Sequence, residues 1–149
     1  MNDLKTKILE ILRKNPSAGL ATITEDGKPW VRTVTVWAAD NLVLRFCTDA
    51  GSRKARQIEK NPEVHLNCGV LDPPNDSAYL QIQGFAEISK DPKEKEAHWR
   101  EGWLKYFRGP QDPEYVIAIV RPYRIEYIGP GALKPEIWTA GEANSPMPI

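Results

Sequence analysis

The sequence predicts a mainly β domain, a small antiparallel barrel of six to seven short strands with helices lying over its ends. Three observations carry this expectation. Runs rich in β-branched and aromatic residues recur along the chain, WVRTVTVW (Trp30–Trp37) and YVIAIVR (Tyr115–Arg121) among them. Turn chemistry separates them at short intervals, as at Glu25-Asp26-Gly27 and Gly129-Pro130-Gly131. Helical periodicity is confined to two or three stretches. Closely spaced strands of this kind manage their edges best by closing into a barrel.

Composition narrows the class. The chain has 149 residues, suited to a single domain over 1–149 with enough length for a core. Hydrophobic residues make up 41% and charged residues 27%, and 20 Lys plus Arg balance 20 Asp plus Glu. That balance argues against a nucleic-acid or membrane-surface binder, which would show a basic excess. Basic charge is instead local: Arg53, Lys54, Arg56 and Lys60 crowd residues 51–61 against Glu59 alone. A small anionic ligand fits that better than a long polyanion. Cys47 and Cys68 lie in apolar, strand-like contexts without a CxxC, and read as free thiols. His65 and His98 have no second ligand at metal spacing, so no metal site is expected. Residues 1–15 are charged and no apolar run approaches spanning length, so the expected location is cytoplasmic.

In chain order, Asn2 to Lys14 reads as an amphipathic helix with Leu4, Ile8, Ile11 and Leu12 as its stripe, stopped by Asn15-Pro16. Three strands follow at Gly19–Thr24, Trp30–Trp37 and Leu42–Thr48, most economically a three-stranded meander. Arg32 shares a strand face with Val34 and Val36. It is either a rim arginine snorkelling to water or one paired with an anion. Glu63–Val70 is a fourth strand, followed by a loop over 72–76. In the fifth, Ala78–Ile88, the alternation puts Leu80, Ile82, Gly84 and Ala86 on one small aliphatic face, with Gly84 marking a bulge or bend. A helical region over roughly 92–107 carries Trp99, Trp103, Tyr106 and Phe107 as an aromatic stripe, either packed on the barrel or lining a pocket or dimer interface. Tyr115–Arg121 and Tyr123–Ile128 are the last two strands, and the tail over 141–149 is expected to be loose, with Trp138 pinning its start.

The stretch Phe46–Leu66 draws most attention. Ser52 stands where a helix N-cap belongs, and Arg53, Lys54 and Arg56 fall in the first turn. Cations are unfavourable at a helix N-terminus, which already carries partial positive charge. Three of them there call for an anion, and a phosphate would use the free N–H groups and the side chains together. The alternative is a solvated basic helix covering a barrel end.

Four blocks in order, VRTVTVW (Val31–Trp37), FCTDAGSRKARQIEKNP (Phe46–Pro62), QIQGFAEI (Gln81–Ile88) and RPYRIEYIG (Arg121–Gly129), resemble the pyridoxamine 5′-phosphate oxidase-like family of FMN-binding split barrels. The N-terminal helix, the Trp99/Trp103 region and the length look most like its general stress protein branch. The resemblance implies a homodimer with FMN at the subunit interface. Carried over by position, Arg32 and Lys54 would hold the flavin phosphate, supported by Ser52 and Arg53. The backbone of Thr33 and Val34 would run beside the ring system, and Cys47 and Thr48 would line the phosphate–ribityl side. Other positions depart from the pattern. Trp37 stands where the oxidase has a substrate-binding lysine, Tyr79 where it has a partner-chain glutamine, Ile128 where it has a tryptophan and Trp138 where it has an arginine. The cofactor half is kept and the substrate half is lost, and Trp37, Tyr79 and Trp138 become candidates for an aromatic environment near the flavin. Two functions follow as expectations: an FMN-dependent oxidoreductase or flavin reductase-like protein of unknown substrate with a possible NAD(P)H donor, or a non-catalytic FMN store or stress sensor. A deazaflavin or haem in place of FMN is a third reading.

Overall fold

The computed structural model describes residues 3–71 and 76–141. Residues 72–75 of the loop expected over 72–76, and the tail beyond Gly141, lie outside the described residues. Helix α1 (Leu4–Lys14) is followed by β1 (Ser17–Ile23), β2 (Pro29–Thr35), β3 (Trp37–Ala38) and β4 (Leu44–Asp49). Then come α2 (Arg53–Lys60), β5 (Glu63–Cys68), β6 (Tyr79–Ser89), α3 (Pro92–His98), a 3-10 turn (Glu101–Lys105), β7 (Tyr115–Ile128) and β8 (Glu136–Thr139). All pairings are antiparallel, in the order β2-β1-β5-β6-β7-β4-β3, with β8 on β7.

That order explains the curl. β2 and β3 stand at opposite ends of the sheet, yet Val36 alone separates them in sequence. One extended segment therefore pairs with β1 on one side and β4 on the other, so the sheet must bend round on itself. Val36 is buried at this corner and donates its N–H to the Pro16 carbonyl. The split lies along β7. Its first half pairs with β4 through Tyr115–Val120, and its second half with β8 through Arg124–Tyr127.

Alternation fills the barrel. Leu20, Leu44, Phe46, Leu66, Leu80, Ile82, Val120 and Ile125 are fully buried, and α1 adds Ile8 and Leu12 from its stripe. Each such side chain contributes about 1.5–3 kcal/mol of transfer free energy. A second cluster forms on the other face of β7, where Tyr115, Ile117 and Ile119 are covered by Trp37, Val43, Cys47, Trp99, Trp103 and Phe107. Burial on both faces explains why YVIAIV is a continuous apolar run.

Several expectations are corrected. The meander does not form, because WVRTVTVW breaks at the Val36 corner and β4 pairs with β3 and β7 instead of β2. The helix expected through residue 107 ends at His98, after which the chain extends and tightens into the 3-10 turn. Trp99, Trp103 and Phe107 pack on the Tyr115 ring, but Tyr106 is 69% exposed and leaves the stripe. The two final strands are one, β7, which passes through Pro122 because the register shifts between Gln83 and Gly84. Gly84 is required there: a Cβ would lie 2.8 Å from the Arg121 carbonyl oxygen and 3.1 Å from Pro122 Cα. β8 was not anticipated from the sequence and brings the strands among the described residues to eight; Trp138 on it packs against the main core, as expected of a pin.

Candidate functional site

The site forms where β2, β4 and the start of α2 meet the turn after α3. Two-residue alternation turns Thr33 and Thr35 on β2, and Arg45 and Cys47 on β4, away from the barrel interior. Thr33, Val34, Thr35, Trp37, Cys47 and Lys54, with Arg100 and Trp103, line a cleft of about 310 Å³. Among the described residues a larger groove, about 610 Å³, lies beside α3, but its Lys95 is buried with Nζ donating to the Asp112 carbonyl. Its other charged residues, Lys93 and Glu96, are of opposite sign.

The start of α2 is built as its sequence suggests. Ser52 caps the helix, its Oγ accepting from the Ala55 N–H at 3.2 Å, and Thr48 Oγ1 lies 3.1 Å from the same oxygen. Ala55 and Ile58 face inward, which leaves Arg53, Lys54 and Arg56 around the outside of the first turn. Asn61 ends the helix in an extended conformation before Pro62. Arg32 is half-buried at the rim of β2. Its guanidinium donates to Thr22 Oγ1 at 2.7 Å, to the Trp30 and Leu20 carbonyls, and to Gln57 Oε1 at 3.1 Å. Every acceptor is neutral. Arg53 lies over the Trp30 ring, 5.4 Å from its centroid.

The electrostatics are those of a site holding too much positive charge. Lys54 is pulled below the ordinary lysine range by burial first and by Arg32 second. Arg32 is pulled down by burial and by Arg53. Among the arginines the contrast with the rest of the surface is sharp. Arg13, Arg45, Arg108, Arg121 and Arg124 each pair with a carboxylate. Among the described residues, Arg32, Arg53, Arg56, Arg100 and Lys54 make no ion pair within 4 Å, and all five stand at the α2 start or the cleft. Burial pushes the Cys47 thiol up to about 11 despite Arg100 and Lys54 nearby, so it stays protonated at neutral pH.

Thr33, Val34, Cys47 and Lys54 therefore meet in one cleft, with Arg32, Ser52 and Arg53 beside it. Thr48 does not line the cleft; it is buried beneath the helix start. Tyr79 and Trp138 stand elsewhere on the chain, Tyr79 at the first residue of β6 and Trp138 on β8. Two contributors were missed, Thr35 and Arg100, whereas Trp103 lines the cleft as the second reading of the aromatic stripe allowed. Arg100 lies 4.8 Å from the Trp37 ring centroid and 5.4 Å from that of Trp103. The Trp37 indole N–H donates to His98 Nδ1 at 3.1 Å, and Glu94, ion-paired to Arg45, lies 3.5 Å from His98 Nε2. The signal for this wall was the clustering of His98, Trp99, Arg100 and Trp103, which helical periodicity accounted for too readily. Among the described residues, no three His, Cys, Asp or Glu side chains group to hold a metal ion, and no helix is long and apolar enough to cross a membrane.

Comparison with known proteins agrees with this architecture. The pattern of the pyridoxamine 5′-phosphate oxidase family matches residues 4–129. General stress protein 26 of Bacillus subtilis is 32% identical over 133 residues, 89% of this chain and 94% of its own. The crystal structure of General Stress Protein 26 from Bacillus anthracis superposes with a TM-score of 0.79 at 31% identity, over 94% of this chain and all of that one. A pyridoxamine 5′-phosphate oxidase-related, FMN-binding protein from Nostoc punctiforme shares the fold, with a TM-score of 0.73 at 18% identity over 93% of this chain and 92% of that one. The chain belongs to the pyridoxamine 5′-phosphate oxidase-like family of split barrels, with General stress protein 26 among its close relatives.

Proposed function

We propose that the protein is an FMN-binding flavoprotein, and an oxidoreductase whose substrate is not pyridoxamine phosphate. The observation that carries this reading is the group of cations without carboxylate partners at the start of α2, beside a cleft lined by Thr33, Val34 and Cys47. A phosphate monoester would relieve the mutual repulsion of Arg32, Arg53 and Lys54 and accept charge-assisted hydrogen bonds of about 1.5–3 kcal/mol each. In this reading Arg32 and Lys54 hold the phosphate, Ser52 keeps the helix end open by capping it from the side, and Arg53 adds charge. The β2 backbone at Thr33 and Val34 orients the ring system, and Cys47 contributes neutral surface. Bound flavin would supply the redox chemistry, and the chain its position and electrostatic setting. Trp37 puts an indole where a phosphate-binding lysine would be needed for pyridoxamine phosphate, which is why that substrate is set aside.

A second reading, a flavin store or sensor without turnover, is favoured by the cleft lining, which contains neither a carboxylate nor a histidine to move a proton. The absorption spectrum of the purified protein tests the cofactor and separates FMN from a deazaflavin or haem. Anaerobic mixing with NADH and NADPH then tests the chemistry: bleaching within seconds supports the oxidoreductase, and a spectrum unchanged by both supports the store.

A homodimer belongs to this proposal. Trp30 and Val31 on β2 are 49% and 68% exposed, an apolar pair that a second copy would cover. The partner would then bring Tyr79 and Trp138, which one chain leaves away from its cleft, toward the flavin. The free thiols Cys47 and Cys68 suit a reducing compartment, so the proposed location is the cytoplasm.

A further inference from the structure

Lys95 on α3 is a charged residue with only 6% of its surface exposed. Its ammonium donates to the Asp112 main-chain carbonyl at 2.9 Å and lies 5.5 Å from the centroid of the Tyr115 ring. An ammonium has three N–H bonds. Among the described residues the other two meet no acceptor, and no carboxylate stands within 4 Å of Nζ. The Asp112 carboxylate is near enough to feel the charge, but its oxygens accept from the backbone N–H groups of Arg108 at 2.9 Å and Glu114 at 3.0 Å. A cation held by a neutral carbonyl and a ring face is incompletely compensated for the water it has lost.

This residue lines the groove of about 610 Å³ beside α3. One wall is apolar at Pro92 and Ala97, and the other is formed by Pro110 and Gln111, just before Asp112. The charges of the groove are Lys93 and Lys95 against Glu96, an excess of one positive charge. Glu96 is occupied at the rim, where its Oε2 accepts from the Gln111 amide at 3.3 Å. The helical period puts Glu94 and His98, which brace Trp37 and Arg45, on the opposite side of α3. Groove and cleft share no lining residue. Lys95 is also fixed in place, because the Tyr115 hydroxyl donates to its carbonyl at 2.8 Å. Much of the entropy cost of ordering a long side chain is thus met in folding, before any ligand arrives.

We propose that the groove beside α3 binds a small apolar monocarboxylate, with its carboxylate on Lys95 Nζ and its hydrocarbon part along Pro92, Ala97 and Pro110. A carboxylate brings two oxygens to the two unused N–H bonds, and one negative charge to an excess of one positive charge. A phosphate dianion would overcharge the groove, and a fully polar anion would leave the proline and alanine surfaces without apolar cover. The site goes beyond the flavin reading and does not depend on it.

Hexanoate and hexanamide, alike in shape and different in charge, are the probes. Each is titrated into the purified full chain by calorimetry, and hexanoate is also followed through the backbone amide signals in nuclear magnetic resonance. The expected result is that hexanoate binds at least about tenfold more tightly than hexanamide, the margin of one charge-assisted hydrogen bond. Its shifts should centre on Lys93–Ala97 and Gln111. Lys95→Met keeps the length of the side chain, removes its charge and should abolish the margin. Should that variant fail to fold, Ala97→Glu decides: the position is exposed, so the Lys95 contacts remain, and the added carboxylate should abolish the margin by repulsion. Equal binding of the two probes, or binding of neither, overturns the proposal. So does a margin that survives in folded Lys95→Met, or in Ala97→Glu where that variant decides. Shifts centred on Thr33–Thr35 would place the acid in the cleft and overturn it as well.

Discussion

Replacing Lys54 with methionine keeps most of the side chain's length and removes its charge. Lys54 makes no ion pair among the described residues, and burial and Arg32 both weaken its hold on a proton. Its ammonium is therefore disfavoured in the ligand-free protein, and a phosphate bound as proposed would relieve it. Losing one charge-assisted contact costs about 1.5–3 kcal/mol, which raises the FMN dissociation constant about 10- to 160-fold. Riboflavin, which lacks the phosphate, provides the control. Lys54→Met should leave riboflavin affinity nearly unchanged, so the cycle between side chain and phosphate isolates their coupling. Flavin fluorescence quenching measures all four affinities. The ligand-free variant should melt no lower than the parent, because a partly desolvated cation beside Arg32 has been removed. A less than threefold change for FMN, or an equal loss for riboflavin, refutes the phosphate assignment. A clear drop in the melting temperature of the ligand-free variant refutes the argument from electrostatic strain.

Other predictions test the scaffold. Gly84→Ala forces a Cβ against the backbone of Arg121 and Pro122 and should cost about 1–3 kcal/mol in urea unfolding, as overpacking does; an unchanged midpoint would show that the bulge yields. His98 is held below the ordinary histidine value of about 6.5, chiefly by burial and against the pull of Glu94. A base with a depressed folded pKa binds more protons when unfolded, so stability falls as pH drops through 6.5 and levels off below the folded value. Protonated His98 would also turn an N–H toward the Trp37 indole N–H, donor against donor. Thermal melts from pH 7.5 to 5 should slope more steeply for the parent than for His98→Gln, and parallel slopes would dismiss the coupling. If the proposed homodimer covers Val31, which is 68% exposed in the single chain, Val31→Glu should give a monomer in sedimentation at little cost to the melting temperature of the fold; a persistent dimer would place the interface elsewhere.

Local chemistry was legible in the chain. The α1 stripe, the Ser52 cap, the Asn61-Pro62 stop, the alternation of β6 and the excess charge at Arg53 and Lys54 all depend on residues within a few positions of one another. Such features need only the helix and strand periods and the capping rules to be read. Arg32 was recognisable as a residue out of place on an apolar strand face, and its neutral partners in the fold deepen that oddity. What the sequence did not reveal depends on contacts across long separations. The corner at Val36 exists because β1 and β4 compete for the two ends of one segment, and neither partner is local to it. β8 is a strand only because the second half of β7 offers it an edge.

The same distinction runs through the site. By itself the sequence determined that a cationic helix start follows an apolar strand, which is enough to ask for an anion. Only the tertiary structure decided that Arg100, 46 positions after Lys54 in the chain, shares a cleft with it. The bond from Trp37 to His98 was likewise a tertiary outcome, and it sets the wall on which Arg100 rests. The physical reason is that capping and periodicity are properties of neighbouring residues, whereas a binding cleft is made by whichever side chains the closed sheet brings to one rim.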